Sequence, residues 1–190
     1  TSFELDKMSI LSPHSNAVCF GIEFYEDKDE FPLLYSNIYN NYGKEADRLE
    51  GVCCVYRITR DGNSFASKLV QVIKIGFVEE LDYWKSYSGT TDVRPYGNFV
   101  VDTDHSKLYA FTMRDRDSVT RYFKFDLPKA ADGTYSQVYG ANVVTLQIGD
   151  IESWFDCEYS RFLQGACYHD NKIYSLEGFN YSPNTEKPGK

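Results

Sequence analysis

Short apolar runs separated by turn-forming residues recur along this chain, and none keeps the three-to-four spacing of an amphipathic helix. The runs group into sets of four. Asn16–Phe20, Leu33–Ile38, Val52–Thr59 and Ala66–Ile75 predict a first set of strands. Gly97–Asp102, Lys107–Thr112, Arg121–Leu127 and Val143–Ile148 predict a second, and Gly165–His169 with Lys172–Leu176 begin a third. Between the third and fourth strands of the first set, Asp61-Gly62 supplies the positive φ that a tight hairpin needs. Asp104-His105-Ser106-Lys107 and His169-Asp170-Asn171-Lys172 mark two further short hairpins, each between a first and a second strand.

The sets repeat one another. Leu34-Tyr35-Ser36 returns as Leu108-Tyr109-Ala110 and again as Ile173-Tyr174-Ser175, always in a second strand. Asp61-Gly62 returns as Asp132-Gly133, and Ile75-Gly76 with Val78-Glu79 returns as Ile148-Gly149 with Ile151-Glu152. An array of β modules that bury their faces by stacking on neighbours points to an all-β fold of antiparallel four-stranded propeller blades with low helix content. A polar, aromatic connector follows each fourth strand, Phe77–Tyr96 with Trp84 and Tyr87, then Asp150–Phe162 with Trp154 and Tyr159. Each is expected to cross to the next blade, with at most a short helical turn.

Several phrases carry a likeness to known proteins: His14-Ser15-Asn16 leading into Phe20-Gly21, Phe31-Pro32-Leu33-Leu34-Tyr35, and Gln164-Gly165-Ala166-Cys167 leading into Ile173-Tyr174-Ser175-Leu176. In these the chain resembles bacterial β-propeller proteins of the six-bladed type. The resemblance implies blades at 13–90 and 91–160, a partial blade at 161–190, an outer strand of a preceding blade in 1–12, and an extracytoplasmic address. Six such modules would take roughly 400 residues. The chain therefore reads as part of a longer parent or as half of an assembly, with exposed blade edges that would pair with another copy.

Composition narrows the class. With 42% hydrophobic residues in 190, the chain can bury a core, and 16 Tyr and 13 Phe favour sheets. A formal charge of -8, without a basic cluster interleaved with aromatics, argues against nucleic acid. No apolar run approaches the roughly 20 residues of a membrane span. Cys19, Cys53, Cys54, Cys157 and Cys167 show no C-x-x-C spacing, so neither a disulfide framework nor a zinc site is expected. Adjacent Cys53 and Cys54 point to opposite faces of a strand, and both can be core only in a sheet covered on both sides.

Candidate chemistry is sparse. His14 and His169 sit near first strands, whereas His105 falls in a hairpin. Asp102 and Asp104 have the spacing of a carboxylate pair, the equipment of glycosidases, but also that of a turn initiator. Arg94 and Arg161 precede first strands and suit a carboxylate or sulfated ligand. Asn16 and Gln164 complete this set of ligand-binding candidates, and Trp84, Tyr87, Trp154 and Tyr159 offer stacking surfaces. The acidic run Glu26–Glu30 lacks the ligand order and glycine of a calcium loop and reads as a solvated loop. There is no G-x-S-x-G, no H-E-x-x-H and no glycine-rich phosphate loop. No cofactor or metal is expected. The reading is a binding or scaffold module that presents loops and a channel mouth to a small molecule, glycan or protein. The alternative is a carbohydrate-active hydrolase or lyase using Asp102, Asp104, His14 and His169.

Overall fold

The computed structural model describes residues 3–7, 15–38, 52–76, 98–111, 120–157 and 163–177. The chain is all-β. Its strands are β1 (Ser15–Phe20), β2 (Leu34–Ile38), β3 (Val52–Asp61), β4 (Ser64–Ile75), β5 (Asn98–Asp102) and β6 (Lys107–Phe111). They continue as β7 (Thr120–Asp126), β8 (Thr134–Ser136), β9 (Ala141–Leu146), β10 (Ser153–Cys157), β11 (Leu163–His169) and β12 (Lys172–Glu177). One 3-10 turn, Ile148–Asp150, is the only helical element among the described residues.

Local turn chemistry acts as the sequence anticipates. The β3–β4 hairpin closes at Asp61 opposite Ser64, with Gly62 at φ 58 in the first turn position, the pattern of a type II′ turn. The β11–β12 hairpin places both Asp170 (φ 49) and Asn171 (φ 56) in the left-handed region, as a two-residue type I′ turn requires.

Three sheets result. The first runs β1-β2-β3-β4-β9-β8, the second β10-β7-β6-β5, and the third β11-β12. Four antiparallel strands per sheet describes the second sheet, but the first is enlarged and mixed because β9 pairs parallel to β4. The stretch expected as the fourth strand of the second set, Val143–Ile148, therefore belongs to the first sheet. Its place beside β7 is taken by β10, which lies in the stretch expected as a connector. Arg121 explains the exchange. It is 7% exposed in β7, and burial of a guanidinium needs a carboxylate partner. Asp156 of β10 stands opposite Arg121 and receives Nε and Nη2 at 2.7 and 2.8 Å, whereas Val143–Ile148 carries no acid.

Cross-strand register assigns the faces. One face of the first sheet, with Tyr35, Cys53, Val55 and Ile73, packs on Phe99, Leu108 and Phe123 of the second. The opposite face buries Cys54, Tyr56 and Val72 beneath Leu5, Phe31 and Phe65. Both neighbouring cysteines are thus core, because the sheet is covered on both sides. The second sheet's other face, with Val100, Phe111 and Tyr122, meets Ala166 and Ile173 of the third. Each repeated tyrosine points toward the following sheet: Tyr35 into the first interface, Tyr109 into the second, and Tyr174 outward, 48% exposed.

Residues 3–7, part of the stretch read as an outer strand, adopt no strand conformation. Asp6 ties them to β4: its amide donates to Ser67 Oγ and its carboxylate accepts from the Leu69 amide. Phe3 stacks on Phe65 at 5.9 Å. The first strands β1, β5 and β11 lie against one another, and side chains such as Ala17, Cys19, Phe99 and Ala166 leave about 20 Å³ between them.

Candidate functional site

Two of the sequence candidates, Asp102 and Asp104, come together with residues that the sequence did not single out. Asp102 ends β5 and is 2% exposed. Its Oδ1 accepts from the amides of Asp104 and His105 at 3.0 Å each, which closes the β5–β6 turn. Its Oδ2 lies 3.0 Å from His105 Nδ1. Tyr168 of β11 brings its hydroxyl to 3.2 Å from the same Nδ1 and donates to Asn171 Oδ1 at 3.0 Å. Loss of hydration, then the negative charges of Asp102 and Asp104, raise the Tyr168 phenol above its ordinary range. The result is a carboxylate-oriented imidazole beside a phenol, where the second and third sheets meet. The sequence places His105 in a hairpin, and its offset of three from a turn-initiating Asp is the signal that links the two.

The remaining candidates are not gathered there. His169 ends β11 opposite Lys172 and is exposed. Asn16 belongs to β1 and Gln164 to β11. His14, Arg94 and Arg161 lie outside the described residues, as do Trp84, Tyr87 and Tyr159. Trp154, on edge strand β10, is 53% exposed and stacks on the Arg121 guanidinium at 3.8 Å. The acidic run is exposed except at Asp29, and three of its acids are paired with arginines. Arg57 bonds Glu26 through both terminal nitrogens, at 2.8 and 2.7 Å, and Asp29 through Nη2 at 2.6 Å, while Arg60 pairs with Glu30. Among the described residues no group of three or more His, Cys, Asp and Glu could hold a metal ion. No helix among them is long and apolar enough to cross a membrane.

A cleft of about 440 Å³ opens elsewhere, over the junction of β4 with β9. Leu69, Val70, Ala130 and Ala141 make its apolar lining, and Glu23, Tyr25, Lys68, Tyr135 and Asn142 add polar groups. The parallel pairing creates it. Gln71 of β4 and Asn142 of β9 stand opposite each other and hold the loop at 129–132 through its carbonyls. Glu23 braces the same loop from the β1–β2 connection, both oxygens accepting from the Ala130 amide at 3.2 and 3.3 Å. Tyr135 is left 64% exposed. Cations stand over the Tyr25 ring, Arg57 at 5.4 Å and Lys68 at 5.8 Å from its centroid. Sequence reasoning missed this site because its residues come from distant segments joined by a non-local strand pairing. No protein-family model, no curated protein and no solved structure matches this chain.

Proposed function

We propose that this protein is a binding module whose ligand site is the cleft over the β4–β9 junction. The observation that carries this reading is a concave space of about 440 Å³ with an apolar floor and a few convergent polar groups, within the range of small-molecule and glycan sites. Tyr135 offers a ring for stacking, and Asn142, Glu23 and Lys68 offer directional hydrogen bonds. Isothermal titration against a panel of simple sugars tests it. Tyr135→Ala is expected to weaken binding about tenfold, with Asp102→Asn unchanged. A panel without a single binder, or a ligand indifferent to Tyr135 and Asn142, would remove the proposal.

A second reading, a glycan-cleaving hydrolase or lyase, is favoured by one arrangement only: Asp102 orients His105 beside Tyr168 as a general-base pair would be oriented. Turnover of a polysaccharide that disappears in His105→Ala and persists in Tyr135→Ala would favour it.

The sheets are proposed to be propeller blades that continue beyond those described, in a longer chain or a second copy. What supports this is the shared register of the repeats. Tyr35 and Asn37, and then Phe111, are buried by the following sheet, while the corresponding Tyr174 and Leu176 are 48% and 65% exposed. Light scattering at increasing concentration checks it. Self-association that Leu176→Asp abolishes is expected, and a monodisperse monomer counts against a second copy.

A further inference from the structure

We infer that the outer edge of β12, with the aromatic shelf beside it, accepts an extended segment of a partner protein carrying two large apolar residues two positions apart. This site stands apart from the cleft. It continues the interface between the second and third sheets, which stops short. Among the described residues the second sheet is four strands wide and the third two, and no strand pairs with the other edge of β12. The second sheet is left partly uncovered beyond that edge. Phe155 of β10 is 45% exposed, stacked on the buried Tyr122 ring at 5.1 Å and edge-on to Tyr109 at 6.2 Å. Ser175 of β12 is exposed even though its hydroxyl meets that of Tyr122 at 2.8 Å.

The repeat indicates what fits. Leu34-Tyr35-Ser36 of β2 pairs with β3, Leu108-Tyr109-Ala110 of β6 pairs with β7, and Ile173-Tyr174-Ser175 is the matching stretch of β12. The Leu127 amide donates to Ser106 O, and counting in twos from there makes Leu108–Phe125 and Ala110–Phe123 the hydrogen-bonded pairs. Ile173 and Ser175 hold the same two places. Their amides and carbonyls point away from β11, because its two-residue turn makes His169–Lys172 and Cys167–Tyr174 the bonded pairs. Phe123 and Phe125, 2% and 0% exposed, share a core cluster with Cys53 and Val55 of the preceding sheet. A strand added to β12 in that register sets two side chains over Tyr122 and Phe155 in the same way, with backbone bonds for affinity and alternate apolar residues for selectivity. The nearby Lys107 and Lys124 are paired with Asp126 and Glu152, so apolar pattern rather than charge selects the segment. A second copy could offer its own β7 only by opening its core.

Fluorescence anisotropy of the full chain with a labelled peptide of the sequence 120–127 tests this. Saturable binding is expected. N-methylation of the peptide at the Phe125 amide should weaken it about tenfold, and N-methylation at the Lys124 amide, which points away from the pair, by less than about twofold. Phe155→Asp and Ser175→Pro in the chain, each checked for an unchanged thermal melt, should each cost about tenfold. Equal affinity of the two methylated peptides would overturn strand pairing. Binding that both chain variants leave intact would place the peptide elsewhere, as on β6 in exchange for β7, and would overturn the site. A peptide with Asp in place of both phenylalanines binding as tightly as the original would overturn the apolar selection. No binding, or self-association of the chain that Ser175→Pro abolishes, would overturn the partner.

Discussion

Gln71 and Asn142 face each other across the parallel pair β4–β9, and both side-chain amides donate to carbonyls of one loop. Gln71 is the stronger anchor, with Nε2 2.6 Å from Lys129 O and 3.1 Å from Asp132 O, at 0% exposure. Replacing it by Leu strands two carbonyls, so Gln71→Leu is expected to lower stability by about 1–2 kcal/mol. Gln71→Glu buries a charge and should cost about 3 kcal/mol or more. Urea unfolding of the two variants measures both. A Gln71→Leu protein as stable as the parent would show that the loop is held by other contacts.

Gly133 and Gly149 make a second comparison. Gly133 sits at φ +96, and a Cβ there would lie 2.5 Å from the carbonyl oxygen of Val143, which is backbone and has little room to move. Gly133→Ala should destabilise by about 2 kcal/mol or more. Gly149 has open space around it, and Gly149→Ala should stay within about 0.5 kcal/mol. Thermal melts of the pair distinguish a required glycine from a repeated one.

The thiols give the protein an alkaline weakness. Burial pushes Cys19 up to about 11 and Cys54 up to about 12, and it holds Cys53 well above the ordinary thiol range. Above pH 9 these thiols ionise when the chain is unfolded but keep their protons when it is folded. The unfolded state then binds fewer protons, and stability falls as pH rises from about 9 through 11 to 12. Each thiol should withdraw about 1 kcal/mol by pH 10, read from urea midpoints at pH 7.5 and 10. Cys167 is exposed, and Cys167→Ser should abolish the fastest phase of native thiol labelling. Flat midpoints across this range would contradict the burial of all three.

Asp102 closes the β5–β6 turn and faces the His105 ring, and two substitutions separate these contributions to stability. Asp102→Ala leaves two turn amides and the His105 ring without their acceptor and should cost about 2 kcal/mol. Asp102→Asn keeps the oxygen that closes the turn and should cost less than half of that. If unfolding by denaturant shows equal losses for both, the negative charge toward His105 matters more than the turn.

Much of this architecture was legible in the chain because its causes are local. The short apolar runs at Leu34–Ile38 and Lys107–Phe111, the left-handed residues Gly62, Asp170 and Asn171, and the recurring tyrosines at 35, 109 and 174 act within a few positions of one another. They fix strands, hairpins and register wherever the fold places them. The adjacent Cys53 and Cys54 even required a sheet buried on both faces. Candidate chemistry was legible in part: Asp102 and Asp104 were visible as acids, but Tyr168 enters only when β11 packs beside the β5–β6 turn.

Tertiary structure alone decided where β9 and β10 went. A run such as Ala141–Leu146 can pair with any free sheet edge, and pattern does not say which. Arg121, buried in β7, finds its carboxylate in Asp156 of β10, a partner that Val143–Ile148 could not supply, while β9 pairs with the edge of β4. The cleft follows from that parallel junction. Its lining joins the stretch 130–142 to residues 23–25 and 68–70 that are distant in sequence, and neither hydrophobic period nor turn chemistry reaches that far.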